Sequence, residues 1–343
     1  MATRNTILAV ALAAAIMSLP ASGTEKEPSR LGLTVLDQAT EESPAFGLYI
    51  DRINRPQSFS KTLPAGNYSG MAHLSRDIYA LVDDKSESDG FRMVRGSFNR
   101  RSGRIARLED IGFRSSGLTN HDGEGIALNK ATGTVFLARE ANNSILEYDL
   151  GAKPTGRAVP TGEIFPENGN LGLESLCCDN EGYLWTTTEA PLSEGIHRIQ
   201  RFNKELQPDG CWLYTMDKPA ISSGKGIYVF GISELLRLDD GRLLVLEREC
   251  NVPGSGFGAF VINKIYVTKP TMDNEGSELE KNLLISFRTD LTIGNRSFAN
   301  FEGLCLGPEL KDGSRPLVLI ADSQNQYLGV LSDWFLSIRL GGL

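Results

Sequence analysis

The chain is short of histidine, cysteine, positive charge and long apolar runs, and each shortage closes off a class of function. His73, His121 and His197 are too scattered to give zinc a local ligand set, and no C-x-x-C pair accompanies them. Cys177, Cys178, Cys211, Cys250 and Cys305 are odd in number, so at least one stays unpaired within a single chain, and no disulfide framework is implied. Adjacent Cys177 and Cys178 point to opposite faces of a strand and read as small buried hydrophobes. Thirty-five Lys and Arg against 43 Asp and Glu give a net charge of -8. That balance disfavours nucleic acid and anionic lipid, and obliges any anionic substrate to meet a local cation. There is no G-x-S-x-G elbow, no phosphate-binding G-x-x-x-x-G-K-[ST] loop and no H-E-x-x-H helix. Gly254-Ser255-Gly256-Phe257-Gly258 follows Pro253 without a helix to hold a pyrophosphate, and reads as an inter-strand loop.

What is present begins with an address. Arg4 precedes the apolar run Ile7 to Leu19, and the small residues Ala21, Ser22 and Gly23 follow Pro20. That run is about 13 residues, short of the roughly 20 a spanning helix needs, so residues 1–23 read as a secretory signal and not as an anchor. The expectation is an exported monomer, periplasmic or extracellular, with no stable membrane insertion.

The remainder carries 36 glycines and 15 prolines, and no segment keeps a 3.6-residue apolar period over four turns. A repeat organises it. Ser69-Gly70-Met71-Ala72, Glu124-Gly125-Ile126-Ala127, Glu174-Ser175-Leu176-Cys177, Glu234-Leu235-Leu236-Arg237 and Glu302-Gly303-Leu304-Cys305 start 55, 50, 60 and 68 positions apart. Each precedes a Gly, Asp or Asn turn and then an apolar strand ending in charge. Those strands end at Asp83, at Arg139-Glu140, at Glu189, at Glu247-Arg248 and at Asp322. Two further strands follow in most repeats, for example Ser144 to Leu150 and Arg157 to Ile164. Four strands per unit predict an all-β fold, a β-propeller of four-stranded blades, five or six in number, over residues 65–343. Residues 24–64 carry leading strands, Leu31 to Leu36 and Phe46 to Ile50, that either close the last blade or help make a sixth. A β-sandwich is the rival architecture, but it gives no reason for charge to recur in the same phase.

In a propeller the first strand of each blade lines the central channel, so equivalent residues converge on one ring. Glu124, Glu174, Glu234 and Glu302 then face one another, with Asp83, Glu140, Glu189, Glu247 and Asp322 near the same mouth. Carboxylates held this close repel unless a proton or cation intervenes. Glu124, Glu174, Glu234, Glu302, Asp83 and Asp322 are therefore candidate ligands of a divalent cation, and an all-oxygen set selects calcium over zinc. Lys85, Arg139 and Arg248 lie among them. An arginine beside such a ring can clamp phosphate oxygens, and Glu124, Glu174, Glu302, Arg139 and Arg248 are the candidate catalytic residues. Each has a structural reading too: an inner-strand carboxylate can bond the next blade's backbone, and Arg139 or Arg248 can neutralise an adjacent glutamate. His121, before Asp122-Gly123, reads as a turn histidine.

Tyr68-Ser69-Gly70-Met71 with Leu81-Val82-Asp83-Asp84-Lys85, Asp122 to Ala127, Gly172 to Leu176, Ser233 to Leu236 and Asn300 to Leu304 together resemble the bacterial phytase-like domain family, also called esterase-like activity of phytase. The resemblance spans roughly residues 65–340. It implies an exported propeller whose recurring Asp and Glu serve phosphoester hydrolysis, acting on a small anionic substrate such as a phosphate ester. The first repeat departs from the pattern, with Ser69 where the others have glutamate. A lactonase-like calcium propeller and a non-catalytic envelope-binding propeller are the alternative functions. The signal reading itself is checkable: intact mass of secreted material should place the mature N-terminus near Thr24, and retention of Met1 would contradict it.

Overall fold

The structure, a computed structural model, describes residues 32–165, 171–193, 195–222, 226–254, 258–291, 298–326 and 331–343. The signal segment 1–23 and residues 255–257 of the glycine-rich loop therefore lie outside the described residues. Three short strands come first, β1 (Thr34–Gln38), β2 (Tyr49–Ile53) and β3 (Gln57–Ser58). Blade 1 then runs from axis to rim as β4 (Tyr68–Ser75), β5 (Ile78–Asp83), β6 (Gly90–Phe98) and β7 (Ile105–Ser115). Blade 2 is β8 (Gly123–Asn129), β9 (Thr134–Arg139), β10 (Ser144–Tyr148) and β11 (Pro154–Val159). Blade 3 is β12 (Leu173–Cys178), β13 (Leu184–Thr188), β14 (Ile196–Phe202) and β15 (Pro208–Thr215). Blade 4 is β16 (Gly226–Arg237), β17 (Leu243–Pro253), β18 (Phe260–Thr268) and β19 (Lys281–Asp290). Blade 5 takes β20 (Asn300–Leu306), β21 (Arg315–Asp322) and β22 (Trp334–Gly341) from the end of the chain, and β2 from its beginning.

The inner strands touch in a closed cycle, β4 to β8, β12, β16, β20 and back to β4, so the fold is a five-bladed β-propeller. No sixth blade is made from the leading strands. β2 closes the ring as the outer strand of blade 5, pairing Tyr49 with Gly341 and Ile53 with Ile338. β1 instead adds a fifth strand to the rim of blade 4, with Thr34 opposite Arg288. Among the described residues the only helical turn is Met272–Asn274, and no helix is long and apolar enough to cross a membrane.

Each second strand lies between two neighbouring blades, which explains why four of them are continuously apolar instead of alternating, and why Leu184–Thr188 of blade 3 is buried throughout. Tyr79 to Val82, Val135 to Ala138, Leu243 to Leu246 and Leu317 to Ala321 are buried throughout. Five apolar clusters fill the five interfaces. Tyr79 and Leu81 meet Val318 and Ile320; Val82 meets Ile126 and Leu137; Ala138 meets Leu173 and Leu184; Trp185 and Trp212 meet Ile232 and Val245; Leu246 meets Phe301 and Leu319. All five cysteines are free, and Cys177, Cys250 and Cys305 are buried among these apolar side chains.

The glycine of the repeat has a steric cause. A Cβ on Gly70 would sit 2.6 Å from the carbonyl oxygen of Glu124, one on Gly125 2.6 Å from that of Glu174, and one on Gly303 2.7 Å from that of Ser69. Each glycine thus lets one inner strand approach the backbone of the next. Gly125→Ala should therefore cost about 1–3 kcal/mol of unfolding free energy. Gly162→Ala, where an added Cβ meets nothing within 4 Å, should stay within about 0.5 kcal/mol. Urea denaturation followed by tryptophan fluorescence checks both.

Candidate active site at the acidic mouth of the channel

The site is built by a bulge repeated five times. In each blade the pairing of the first two strands slips near the start of the inner strand, between Tyr68 and Gly70, Gly123 and Ile126, Leu173 and Ser175, Ile232 and Glu234, and Phe301 and Gly303. A bulged residue leaves the ladder and turns its side chain away from its neighbours. The residues at the slip are Ser69, Glu124, Glu174, Ser233 and Glu302, and they make one ring at the channel mouth. The second ring comes from the second strands: Asp84, Glu140 and Glu189 lie just past the ends of β5, β9 and β13, whereas Arg248 is paired opposite Gly231 and Asp322 opposite Asn300.

The two rings face each other closely. Oxygens of Glu140, Glu174 and Glu189 lie within 4.8 Å of one another. Arg248 enters the carboxylates from blade 4: it contacts Glu189 through Nη2 and Glu302 through Nη1, with Glu174 at 3.8 Å and the Asn300 side-chain oxygen at 3.4 Å. Asn300 also donates to Glu302 at 2.7 Å. Glu140 accepts the Gly172 N–H at 3.2 Å. Lys85 bridges Asp84 at 2.7 Å and Asp122 at 3.0 Å from the rim, where its side chain is 33% exposed. Seven carboxylates in the rings are thus met by two cations.

Burial and crowding hold protons on this cluster. Burial, then Asp84, Glu140 and Glu302, pushes Glu124 well above the usual carboxyl range. Burial and Glu189 do the same to Glu174 against the opposing pull of Arg248. Glu140 is pushed up to about 8, by burial and then Glu189, and Glu302 to about 7, by burial despite Arg248. Asp322 is raised by burial, Glu302 and Asp84. Burial opposes the Arg248 charge, but Glu302, Glu189 and Glu174 outweigh it and keep the guanidinium protonated.

Of the residues named from sequence, the structure brings together Glu124, Glu174, Glu302, Arg248 and Asp322. Glu234, Asp83, Arg139 and Glu247 it places elsewhere. Glu234 sits where the other blades have Gly70, Gly125, Ser175 and Gly303, one residue past the ring position held by Ser233. Its carboxyl accepts main-chain N–H groups of Leu176 at 2.9 Å and Leu235 at 3.0 Å, and of Leu304, with no carboxylate acting on it. Glu234 therefore plays the structural part, tying the inner strands of three blades. Asp83 is paired within the ladder opposite Tyr68 and accepts the Lys85 N–H, while Asp84 turns to the axis. Arg139 reaches outward to Asp89 at 3.4 Å and Ser144 at 3.0 Å, while Glu140 turns inward. Glu247 is held by Tyr214 at 2.8 Å and Lys281 at 2.7 Å, away from the rings. His121 lies in the turn before β8, where its carbonyl accepts the Ala141 N–H. Asp84 and Ser233 were missed for one reason, since adjacent strand residues face opposite ways and a bulge reverses the phase.

Five four-stranded blades around a channel with a doubly carboxylate-ringed mouth define an acidic-channelled propeller. The chain belongs to the phytase-like family, described as esterase-like activity of phytase, whose profile matches residues 63–324. No curated protein matches its sequence. Among solved structures it is similar to an endo-arabinase from Bacteroides thetaiotaomicron, at 14% identity over 80% of this chain and 94% of that one, with a TM-score of 0.47. A luciferin-regenerating enzyme is similar at 14% identity over 84% and 96% of the two chains, TM-score 0.43. A streptogramin B lyase is similar at 12% identity over 86% and 98%, TM-score 0.36.

The raised carboxyl values set a pH dependence. A carboxyl that titrates near 4.5 when unfolded and at about 7 or 8 when folded binds more protons in the folded chain. Its contribution to stability is therefore largest at low pH and is lost as pH rises towards the folded value. Buried neutral His197, lowered to about 4, acts in the opposite sense but only below its ordinary 6.5. In chelator, the melting temperature should therefore fall between about pH 6.5 and 8, and Glu140→Gln should flatten that fall. A flat or rising curve for the wild-type chain would contradict the assignment.

Proposed function

We propose that this protein is an exported hydrolase of small phosphate esters whose acidic mouth works with a divalent cation. The observation that carries the reading is the approach of Glu140, Glu174 and Glu189 to within 4.8 Å, beside an arginine shared by three carboxylates. The donor set fits the cation. It is all oxygen, which suits calcium, and burial with like-charged neighbours raises Glu140 and Glu174, a penalty a cation would relieve. Glu140, Glu174 and Glu189 would hold the ion, with Glu124 and Glu302 beside them. When bound it would polarise a phosphoryl oxygen.

The chain's own groups would do the rest. A substrate phosphate approaching seven carboxylates is repelled, so the cation and the rim ammonium of Lys85 would supply the attraction that admits it. Arg248, only 5% exposed, is too enclosed to meet the substrate first. It would act by holding Glu302 and Glu189 in place and by keeping one positive charge beside the phosphate site. Glu302, titrating at about 7, would exchange a proton with water at neutral pH, as a general acid or base must.

Calcium titrated into the chelator-treated chain should release heat and raise the melting temperature, by about 2.7 kcal/mol of added stability at 100 times its dissociation constant. Glu174→Gln should lose the shift and cut phosphoester hydrolysis about a hundredfold or more. Arg248→Ala should lose hydrolysis and weaken the shift less than Glu174→Gln does, since it frees Glu189 without removing a ligand. Neither heat nor shift at millimolar calcium would overturn the cation, and turnover of lactones without phosphate release would overturn the substrate class.

A further inference from the structure

The two mouths of the channel differ in sign. Two residues beyond the first ring, Met71, Ile126, Leu176, Leu235 and Leu304 form an apolar layer, each 3% exposed or less. Beyond that layer the inner strands open onto a second cavity, of about 110 Å³. His73, Lys130, Arg237 and Arg315 line it, with Asp239 as its one lining carboxylate. In a chain of net charge -8 this is a local inversion, and the apolar layer separates it from the acidic mouth.

Neither guanidinium there makes a direct carboxylate pair among the described residues, although Asp179 and Asp240 act on Arg237 from a distance. Arg237 lies over the Trp185 ring at 4.4 Å, and Trp185 is itself stacked on Trp212 at 5.0 Å. Its Nη2 donates to the Pro270 carbonyl at 3.4 Å, whereas Nη1 is buried with no hydrogen-bond partner among the described residues. Arg315 spends Nε on the Gly307 carbonyl at 2.9 Å. Both guanidiniums therefore meet carbonyls instead of carboxylates. Lys130 is shared between Asn180 at 2.6 Å and Asp239 at 3.7 Å, with its side chain 59% exposed. His73 is stacked on Tyr79 at 4.5 Å and bonded to the Arg76 carbonyl at 3.0 Å, closing the side next to Arg315. A buried guanidinium N–H without an acceptor is costly, and an oxyanion is the group that repays it.

We propose that this second mouth is an anion site that takes one small oxyanion, inorganic phosphate or a group of the same shape and charge, between Arg237, Arg315 and Lys130. The cavity exceeds the space a single water needs, and guanidinium forks match the oxygens of a tetrahedral anion. The site is independent of the hydrolytic reading, because the apolar layer lies between the two mouths.

The test is calorimetry of the full chain with sodium phosphate in chelator, against chloride at matched ionic strength. Saturable binding at one phosphate per chain is expected. Arg237→Gln and Arg315→Gln should each weaken it about tenfold or more, and Lys130→Gln less, since that ammonium is mostly exposed. Glu174→Gln should leave it unchanged, so failure here and failure of the cation site are separate results. Should Arg237→Gln fail to fold for want of its stack on Trp185, Arg315→Gln and Lys130→Gln decide. No saturable heat at millimolar phosphate, or an affinity indifferent to these substitutions, would overturn the site. So would association with phosphatidylglycerol vesicles in place of free phosphate.

Discussion

Repulsion among buried carboxylates on the propeller axis is the constraint to which the rest of this structure answers. Ring closure forces five equivalent positions to converge, and this sequence fills most of them, twice over, with Asp or Glu. Buried like charges cannot all ionise, so the cluster carries protons, one enclosed guanidinium and one rim ammonium. Arg248 is the residue the arrangement depends on most, because one side chain of blade 4 reaches three acids from the two blades beside it: Glu174 and Glu189 of blade 3 and Glu302 of blade 5. The departure of blade 4 from the carboxylate pattern is what makes room for it. Ser233 replaces a ring glutamate just where Arg248 supplies the only positive charge of the second ring.

The scaffold can tolerate this strain because everything beneath it is tightly determined. The glycines of blades 1, 2 and 5 bring neighbouring backbones together at the mouth, and the apolar layer two residues deeper seals the channel. Glu234 adds a polar tie at the same depth, its carboxyl accepting amides from the inner strands on either side. Ring closure by β2 then makes an early strand of the chain part of the last blade, so the mouth is held by a sheet that neither end of the chain could complete alone.

The architecture was legible because a propeller repeats the same physical problem. Each second strand is buried on both faces, and each writes an apolar run ending in charge at a constant phase. The side-chain directions were not legible with the same reliability. Strand alternation assigns faces only while pairing stays in register, and the bulge at every inner strand inserts one residue that no composition marks. That single residue separates Glu234 from Ser233, while Asp83 differs from Asp84 and Arg139 from Glu140 because neighbours at a strand end face opposite ways. One cue was present: Ser233 holds the same place before the apolar residues of its strand as Ser69 does, so the fourth repeat could have been aligned on serine. The destination of β1 had no cue, since joining the rim of blade 4 instead of blade 5 depends on the path of the chain in space.

Charge of opposite sign at the two mouths follows from the same geometry. Every inner strand passes the axis once, so a residue near its start and a residue four positions later are presented at opposite ends of one channel. Acids occupy the first place in three blades, while the later place holds Arg237 in blade 4, with Arg315 entering from a second strand. Were the channel open and wet, these groups would screen one another through water; with five apolar side chains between them, each end must find its own counter-charge. The acidic end does so internally, through protons and Arg248. At the basic end the guanidiniums bond carbonyls and leave Nη1 of Arg237 without a partner, and that asymmetry makes the two ends chemically distinct sites of one blade repeat.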